Sequence, residues 1–348
     1  MSDLSDGLLF VAVIVYGLAM LAFAATAANS RARRLSARTA SSDATAIAAP
    51  TRVLVGSGGP SVPVTPPVLD GPALREPISR AARLAVLFTG VGWVVHLGSV
   101  ITRGFAADRV PWGNMYEFSS CVALVGVTGF LVLLQRKKVD VSVGAFVMVP
   151  VVLYLGLAGT VLYTAAGPLV PALNSYWIKI HVFAAVLSSG AFLLSGVIAI
   201  LYLLRNRHDE TVKALASPEP GTRTTMVLRK ERPVALQFPY TLGTMLPSAQ
   251  RLDRAAYAVI AFAFPIWTFA IIAGAIWAEA AWGRYWGWDP KETWSFITWV
   301  LYAGYLHARA TAGWKGTKAA WISLAAAAAL IIDYYVVNIF VVGLHSYA

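Results

Sequence analysis

Stretches of about 20 apolar residues recur along this chain of 348 residues and constrain it to one kind of fold. As a helix, such a stretch can cross a hydrocarbon core of about 30 Å, where backbone groups must be hydrogen-bonded internally. Of all residues, 58% are hydrophobic and 13% are charged, whereas soluble domains are about 25% charged. The sequence therefore predicts an all-α polytopic membrane bundle of about eight transmembrane helices. The runs lie near residues 8–28, 84–102, 117–135, 142–164, 178–204, 256–278, 294–311 and 319–342.

The loops between these helices divide into two sets by charge. If the helices alternate in direction, loops 29–83, 136–141, 205–254 and 309–318 share one side and hold 23 of the 28 Lys and Arg residues. The opposite set holds five. Because basic loops remain cytoplasmic, both termini are predicted to be extracytoplasmic. The protein itself is predicted to lie in the cytoplasmic (inner) membrane. The net charge of +11 then reflects topology, and no nucleic-acid partner is predicted.

The polar segments divide the chain into five parts. Asp3 and Asp6 precede the first apolar run and arginines follow it, which favours a retained helix over a cleaved leader. Cys121 is the single cysteine, so no disulfide or thiol pair is predicted. The predicted parts are a first transmembrane helix (1–28), a disordered cytoplasmic linker (29–83), helices 2–5 (84–204), a basic cytoplasmic loop (205–254) and helices 6–8 (255–348).

A tryptophan-rich loop at residues 282–294 reads W-G-R-Y-W-G-W-D-P-K-E-T-W and falls on the predicted outer side. Indole is largely apolar but carries one N–H that needs a partner, so the loop suits a ligand-binding surface at a membrane face. Asp289 and Glu292 are expected to cap the following helix or to pair with Arg284 and Lys291. The four tryptophans are Trp282, Trp286, Trp288 and Trp294.

Two histidines fall on the same predicted side as this loop. His181 lies at the outer end of the fifth run, and His345 lies just beyond the eighth. Neutral imidazole is a common iron ligand, so this pair is predicted to be axial to a haem iron. In contrast, His208 lies beside Asp209 and Glu210 and is predicted to be solvated.

Two further histidines lie inside predicted spans. An ionisable residue at that depth is expected to face the bundle interior and to mark a site. His307 lies about 20 Å along its helix, towards the cytoplasmic side. His96 lies nearer the outer side, at about the level of Asp333, which could orient its second ring nitrogen.

The tryptophan-rich loop resembles the "WWD" signature of the haem-handling membrane proteins of cytochrome c maturation. Its surroundings are most similar to the CcsA/ResC branch, called System II. The resemblance covers roughly residues 84–204 and 240–348. The supporting stretches are P-W-G-N-M-Y-E-F (111–118), F-P-I-W-T-F (264–269), Y-L-H-A-R (305–309) and G-L-H-S-Y (343–347).

The resemblance implies a haem b (iron-protoporphyrin IX) held outside by His181 and His345, with the four tryptophans as its platform. Arg284 and Lys291 could then pair with the propionates. His307 would ligate a haem within the membrane, and a CcsB/ResB-like partner would supply the second ligand there. That leaves His96 as a further cofactor-binding candidate without a defined role.

By the same resemblance, apocytochrome c is the acceptor, and a thiol-reducing thioredoxin-like protein is a further expected partner. The chain would act within a holocytochrome c synthase (haem lyase) complex by positioning haem. Two alternatives stay open: a membrane transporter with an aromatic external ligand site, and a b-type haem electron carrier.

Overall fold

All regular structure in the described part of the chain is helical. The structure, a computed structural model, describes residues 1–47, 79–168, 175–216 and 242–345. The main helices are α1 (Ser2–Ile47), α2 (Arg80–Ala107), α3 (Met115–Gln135), α4 (Gly144–Thr160), α5 (Tyr176–Ala216), α6 (Ala249–Trp282), α7 (Pro290–Ala310) and α8 (Thr317–Phe340). A 3-10 turn, Val141–Val143, precedes α4, and a π-helical turn, Ile332–Val337, interrupts α8.

The polytopic all-α prediction is confirmed. Within the described ranges, seven helices are long and apolar enough to span a membrane, and α7 is the exception among the eight. Its 21 residues would reach about 31 Å, but Lys291, Glu292, His307 and Arg309 lower its mean hydropathy. An eighth span at α7 therefore stays a prediction.

Two helices run beyond the apolar stretches from which they were predicted. The first, α1, continues to Ile47, into the predicted linker, and α5 continues to Ala216, into the predicted basic loop. Both extensions contain Ala, Leu and Arg, which are good helix formers, so the helix continues after the hydrophobic stretch has ended. The remainder of those two predicted segments, 48–78 and 217–241, lies outside the described residues.

The helices pack around two main buried clusters. In the first, α1 packs against α2, α3 and α4, around side chains such as Tyr16, Phe130 and Met148. The second joins α5 to α6, α7 and α8, where Phe192 stacks on Tyr302 with ring centroids 3.7 Å apart. Small residues allow close contacts between helices, as they do in other membrane bundles. The sides of α3, α5, α6 and α8 that face one another, together with the first turn of α7, enclose the site described below.

A buried ionic cluster fixes the segment between α2 and α3. Glu117 on α3 is fully buried and accepts hydrogen bonds from Arg103 at 2.9 Å and Arg109 at 2.6 Å. Arg109 also donates to the Gly167 carbonyl at 3.0 Å. A buried carboxylate is tolerated when opposite charges and hydrogen bonds satisfy it, so this cluster holds residues 108–115 in place over the site.

The loop charges predict that fusions of a topology reporter after Arg136 and after Arg207 behave as cytoplasmic. A fusion after Arg284 should report the extracytoplasmic side. Alkaline phosphatase, which is active only outside, and green fluorescent protein, which fluoresces only inside, would measure this. An extracytoplasmic signal after Arg136 or Arg207 would contradict the predicted topology.

Candidate functional site

A cavity of about 340 Å³ lies between α3, α5, α6 and α8, beneath the tryptophan-rich loop. Its volume is within the range of about 300–1,000 Å³ that is usual for ligand sites. His181 and His345 both line it, so the structure brings the predicted outer pair to one site. Its aromatic lining consists of Trp112, Phe118, Tyr154, Trp267, Trp277, Tyr285, Trp286, Tyr334 and Tyr335.

The ring of His181 is oriented by the backbone of α6. Its Nδ1 lies 2.7 Å from the Ala270 carbonyl oxygen. A carbonyl only accepts hydrogen bonds, so Nδ1 carries the proton and the lone pair is on Nε2, the atom that can bind a metal. Gly274, one turn along α6, allows this approach, because a Cβ there would lie 2.7 Å from His181 Nδ1.

The ring of His345 is oriented by a carboxylate. Its Nδ1 lies 2.8 Å from Oδ2 of Asp289, and Oδ1 of Asp289 accepts the Leu344 N–H at 2.8 Å. Burial lowers the pKa of His345 and outweighs the effect of Asp289, which acts to raise it. For Asp289, burial acts to raise the pKa, but the hydrogen bonds from Leu344 and His345 lower it overall. A neutral ring thus donates to an ionised carboxylate, and the lone pair is again on Nε2.

Asp289 also begins α7. It is the N-cap residue, Pro290 follows at the first helical position, and Asp289 and Glu292 form a capping box. Glu292 accepts the N–H groups of Asp289 at 3.0 Å and of Gly287 at 2.8 Å. The predicted capping role is confirmed, but the contact with His345, 56 residues away, could not be predicted from local sequence.

The four tryptophans of the loop do not form one surface. Trp286 lines the cavity, and Trp282 packs edge-on against His345 with centroids 4.8 Å apart. Trp288 is 66% exposed, and neither it nor Trp294 is among the lining residues. In their place Trp277 of α6, which is buried, contacts both Trp282 and His345. Within an apolar run, a tryptophan resembles ordinary core, so sequence reasoning missed it.

Of the two predicted propionate partners, only Lys291 reaches the cavity. Its Nζ lies 2.6 Å from Oδ1 of Asn338, on α8. The guanidinium of Arg284 instead approaches the Gly287 carbonyl at 3.5 Å, in the exposed part of the loop. The structure therefore does not bring Arg284 to the site.

The predicted pairing of His96 with Asp333 is wrong. His96 is fully buried between α1, α2 and α3, with Nε2 2.9 Å from Ser120 Oγ and Nδ1 3.4 Å from the Tyr16 hydroxyl. Asp333 lines the cavity instead. Depth along a helix sets the level of a residue, but not the direction in which its side chain points.

Two other histidines also differ from their predicted environments. His307 is exposed, since Thr298, Tyr302 and Tyr305 occupy the buried face of α7, so it does not face the bundle interior. Its role as an iron ligand remains a prediction. His208 is buried rather than solvated, because it packs against Gly243. Arg205 holds residues 243–246 there through the carbonyls of Gly243 and Leu246.

Fold and site together define a polytopic helical membrane protein with two oriented imidazoles in an aromatic cavity. Residues 112–345 match the family described as "Cytochrome C assembly protein". The chain is 35% identical to the "Cytochrome c biogenesis protein CcsA" of Gloeobacter violaceus, over 79% of this chain and 90% of the relative. The CcsA protein of Porphyra purpurea is 32% identical, over 78% and 88% of the two chains. This chain therefore belongs to the CcsA family of cytochrome c assembly proteins, as its sequence motifs predicted.

A solved structure titled "Cytochrome c Heme Lyase CcmF" has a similar fold, with a TM-score of 0.52 and 16% sequence identity. The match covers 96% of this chain and 46% of that one. At this identity the likeness shows the fold alone. The family match and the CcsA relatives support a role for this membrane protein in cytochrome c maturation.

Proposed function

We propose that this protein holds haem in the outer cavity, with the iron between Nε2 of His181 and Nε2 of His345, and presents it to apocytochrome c. One observation carries the proposal: both imidazoles line the same aromatic cavity, and each has its Nδ1 held by an acceptor. Such bonds to the outer nitrogen fix the tautomer and orientation of metal-binding histidines.

The ligand set favours haem over a bare metal ion. Among the described residues, no group of three or more His, Cys, Asp or Glu side chains could hold a metal. Two imidazoles supply only axial ligands, and a porphyrin supplies the other four. The apolar faces of a porphyrin also suit the aromatic lining, where Trp286 and Trp277 lie.

In this proposal the protein contributes binding and orientation rather than a nucleophile. The histidine of a C-x-x-C-H segment of apocytochrome c displaces one axial ligand, and the vinyl groups of haem then lie beside the two thiols. Thioether formation gains chiefly from this proximity. We assign the departing ligand to His345, because it lies on a short segment after α8, whereas His181 lies within α5.

The proposal includes a haem lyase complex with a CcsB/ResB-like membrane protein, and a thioredoxin-like protein that keeps the acceptor thiols reduced. The exposed position of His307 on α7 supports such a partner, because an inner haem there would need its second ligand from another chain. The extracytoplasmic position of the tryptophan-rich loop is part of the same proposal.

The two alternatives make different demands. An electron carrier of the b type needs paired ligands within the spans, but both ring nitrogens of His96 already have partners, and His307 is exposed. A transporter for another ligand would need the cavity but no haem.

The test combines a spectrum with a deletion. We expect the detergent-purified protein from haem-replete cells to show the spectrum of haem with two imidazole ligands, and a deletion to abolish holocytochrome c. Pyridine haemochrome assay and haem staining of membranes would measure these. Purified protein without haem, together with normal cytochrome c in the deletion, would contradict the proposal and favour a transporter.

A further inference from the structure

A polar cluster lies on the α7 and α8 side of the cavity, apart from the two imidazoles. It consists of Lys291, Asp333, Tyr334 and Asn338, all of which line the cavity. Lys291 Nζ lies 2.6 Å from Asn338 Oδ1 and 5.4 Å from the centroid of the Tyr334 ring. These contacts hold the ammonium group at the wall of the cavity.

Asp333 is the least satisfied member of this cluster. It is 4% exposed, and its Oδ1 has no hydrogen-bond partner among the residues that the structure describes. Asp333 and Lys291 both line the cavity, so their opposite charges face the same space, although no direct ion pair joins them in the part of the chain that the structure describes. Asp333 lies in the π-helical turn of α8, a feature that often occurs at functional sites. A buried carboxylate oxygen without a donor, at the wall of a cavity, needs an explanation other than packing.

We propose that Lys291 and Asn338 form a carboxylate-binding subsite for the propionates of the cargo, and that Asp333 is the resident counter-ion which the cargo displaces. The inference rests on the proposed function and deepens it. The ammonium of Lys291 has three donors, of which Asn338 engages one, and the amide nitrogen of Asn338 is a further donor. A carboxylate can therefore be held by charge-assisted hydrogen bonds at this wall.

The subsite gives the porphyrin one orientation in the cavity. Both propionates of haem lie on one edge of the ring, so that edge faces α7 and α8. The vinyl groups then lie away from the Lys291 wall, where thiols of an acceptor can reach them. Without such a subsite, two axial imidazoles would leave the ring free to rotate about the axis through the iron.

Asp333 makes this binding exchangeable. With no cargo bound, its carboxylate compensates the charge of Lys291, which would otherwise be costly at a partly buried wall. An arriving propionate competes with Asp333 for the same ammonium, so the affinity stays below that of an uncontested lysine. A protein that must pass its cargo on gains from such moderate affinity.

The experiment compares haem with its dimethyl ester, which has the same ring and iron but no carboxylate charge. Both are titrated into the detergent-purified full chain, and binding is followed by Soret absorbance. We expect Lys291→Met to weaken haem binding roughly ten- to a hundredfold, as the loss of a charge-assisted hydrogen bond predicts, and to leave ester binding unchanged. Asn338→Leu should show a smaller loss with the same selectivity. Asp333→Asn should tighten the binding of haem but not that of the ester.

Arg284→Met is the matched control, since it removes a cation of the same loop that does not line the cavity. It should leave both affinities unchanged. Equal losses for haem and ester in Lys291→Met would overturn the subsite, as would weaker haem binding in Asp333→Asn. A loss confined to Arg284→Met would place the carboxylates elsewhere and overturn it too.

Metal-free protoporphyrin IX and its dimethyl ester separate this inference from the proposed function, because neither needs an axial ligand. If haem binds without a two-imidazole spectrum, the histidine assignment fails. The subsite is still supported if Lys291→Met weakens only the binding of the free acid. If the wild-type protein binds free acid and ester equally, the subsite is wrong even where the histidine assignment holds.

Discussion

We expect His345→Ala and His181→Ala each to abolish the attachment of haem to cytochrome c. Each change removes one of the two proposed axial ligands, and no other histidine is among the described residues that line the cavity. The measurement is haem staining of c-type cytochromes in membranes, normalised to the amount of variant protein by immunoblot. The purified variants should also lose the two-imidazole spectrum.

Imidazole in the growth medium provides an internal control for these variants. It should partly restore both, because a small neutral ring can occupy the space of the deleted side chain and bind the iron. Restoration shows that the variant is folded and lacks only a ligand. Attachment in His345→Ala equal to wild type would exclude this residue as a ligand. His208→Ala is not a suitable silent control, because His208 is buried against Gly243.

Asp289→Ala should have an effect nearly as large. It removes the N-cap of α7, which contributes about 0.5–2 kcal/mol, together with the hydrogen bond that orients His345. Asp289→Asn separates the two roles, because asparagine is also a good N-cap residue but carries no charge. A hydrogen bond to a charged group contributes about 1.5–3 kcal/mol, so Asp289→Asn should still weaken haem binding about tenfold or more.

Haem titration of the purified variants, with thermal unfolding alongside, would separate the two contributions. We expect Asp289→Asn to unfold near the wild-type temperature but to bind haem weakly, and Asp289→Ala to be impaired in both. Glu292→Gln is the matched comparison, because it changes the other half of the capping box, whose carboxylate accepts the N–H groups of Gly287 and Asp289. Wild-type haem affinity in Asp289→Asn would contradict the orienting role.

Burial and the same carboxylate act in opposite directions on the pKa of His345 and so on the response of the site to acid. Burial lowers the pKa of His345 from its ordinary value of about 6.5, so the neutral, iron-binding ring persists at neutral pH. Haem affinity should therefore be constant above about 6.5 and fall as the pH drops through the lowered pKa. In Asp289→Asn the ring loses an interaction that raises its pKa, so the decline should begin at a lower pH than in wild type. A decline at higher pH would contradict this sign.

Much of the fold could be predicted from apolar runs, because a membrane span needs a continuous hydrophobic stretch of known length. Helix ends could not, since α1 and α5 continue into polar sequence that hydropathy does not count. The outer histidines could be predicted to act as a pair, because the loop charges predict that both lie on one face of the membrane. Of the hydrogen bonds at this site, only the cap formed by Asp289 and Glu292 could be predicted from local sequence, because it joins residues close together in the chain.

What could not be predicted depends on contacts between distant segments. The bond from His345 to Asp289 joins residues 56 positions apart, and the bond from Lys291 to Asn338 joins residues 47 apart. The direction in which a side chain points around its helix could not be predicted from the sequence either. His307 and His96 lie on the helices where they were predicted. The ring of His307 is exposed, however, and the buried ring of His96 contacts Ser120 and Tyr16 instead of Asp333.

The close approach of Gly274 to His181 has a consequence for the entropy of cargo capture. The Ala270 carbonyl holds one ring nitrogen, while the bare backbone at Gly274 lies against the same ring, so two points on one helix fix its rotation. The ring therefore loses its rotational freedom when α5 and α6 assemble, and not when a ligand arrives. Pre-organisation of this kind removes an unfavourable term from binding. A single methyl group at position 274 would displace the ring, so the pre-organised orientation of this imidazole requires glycine at that position.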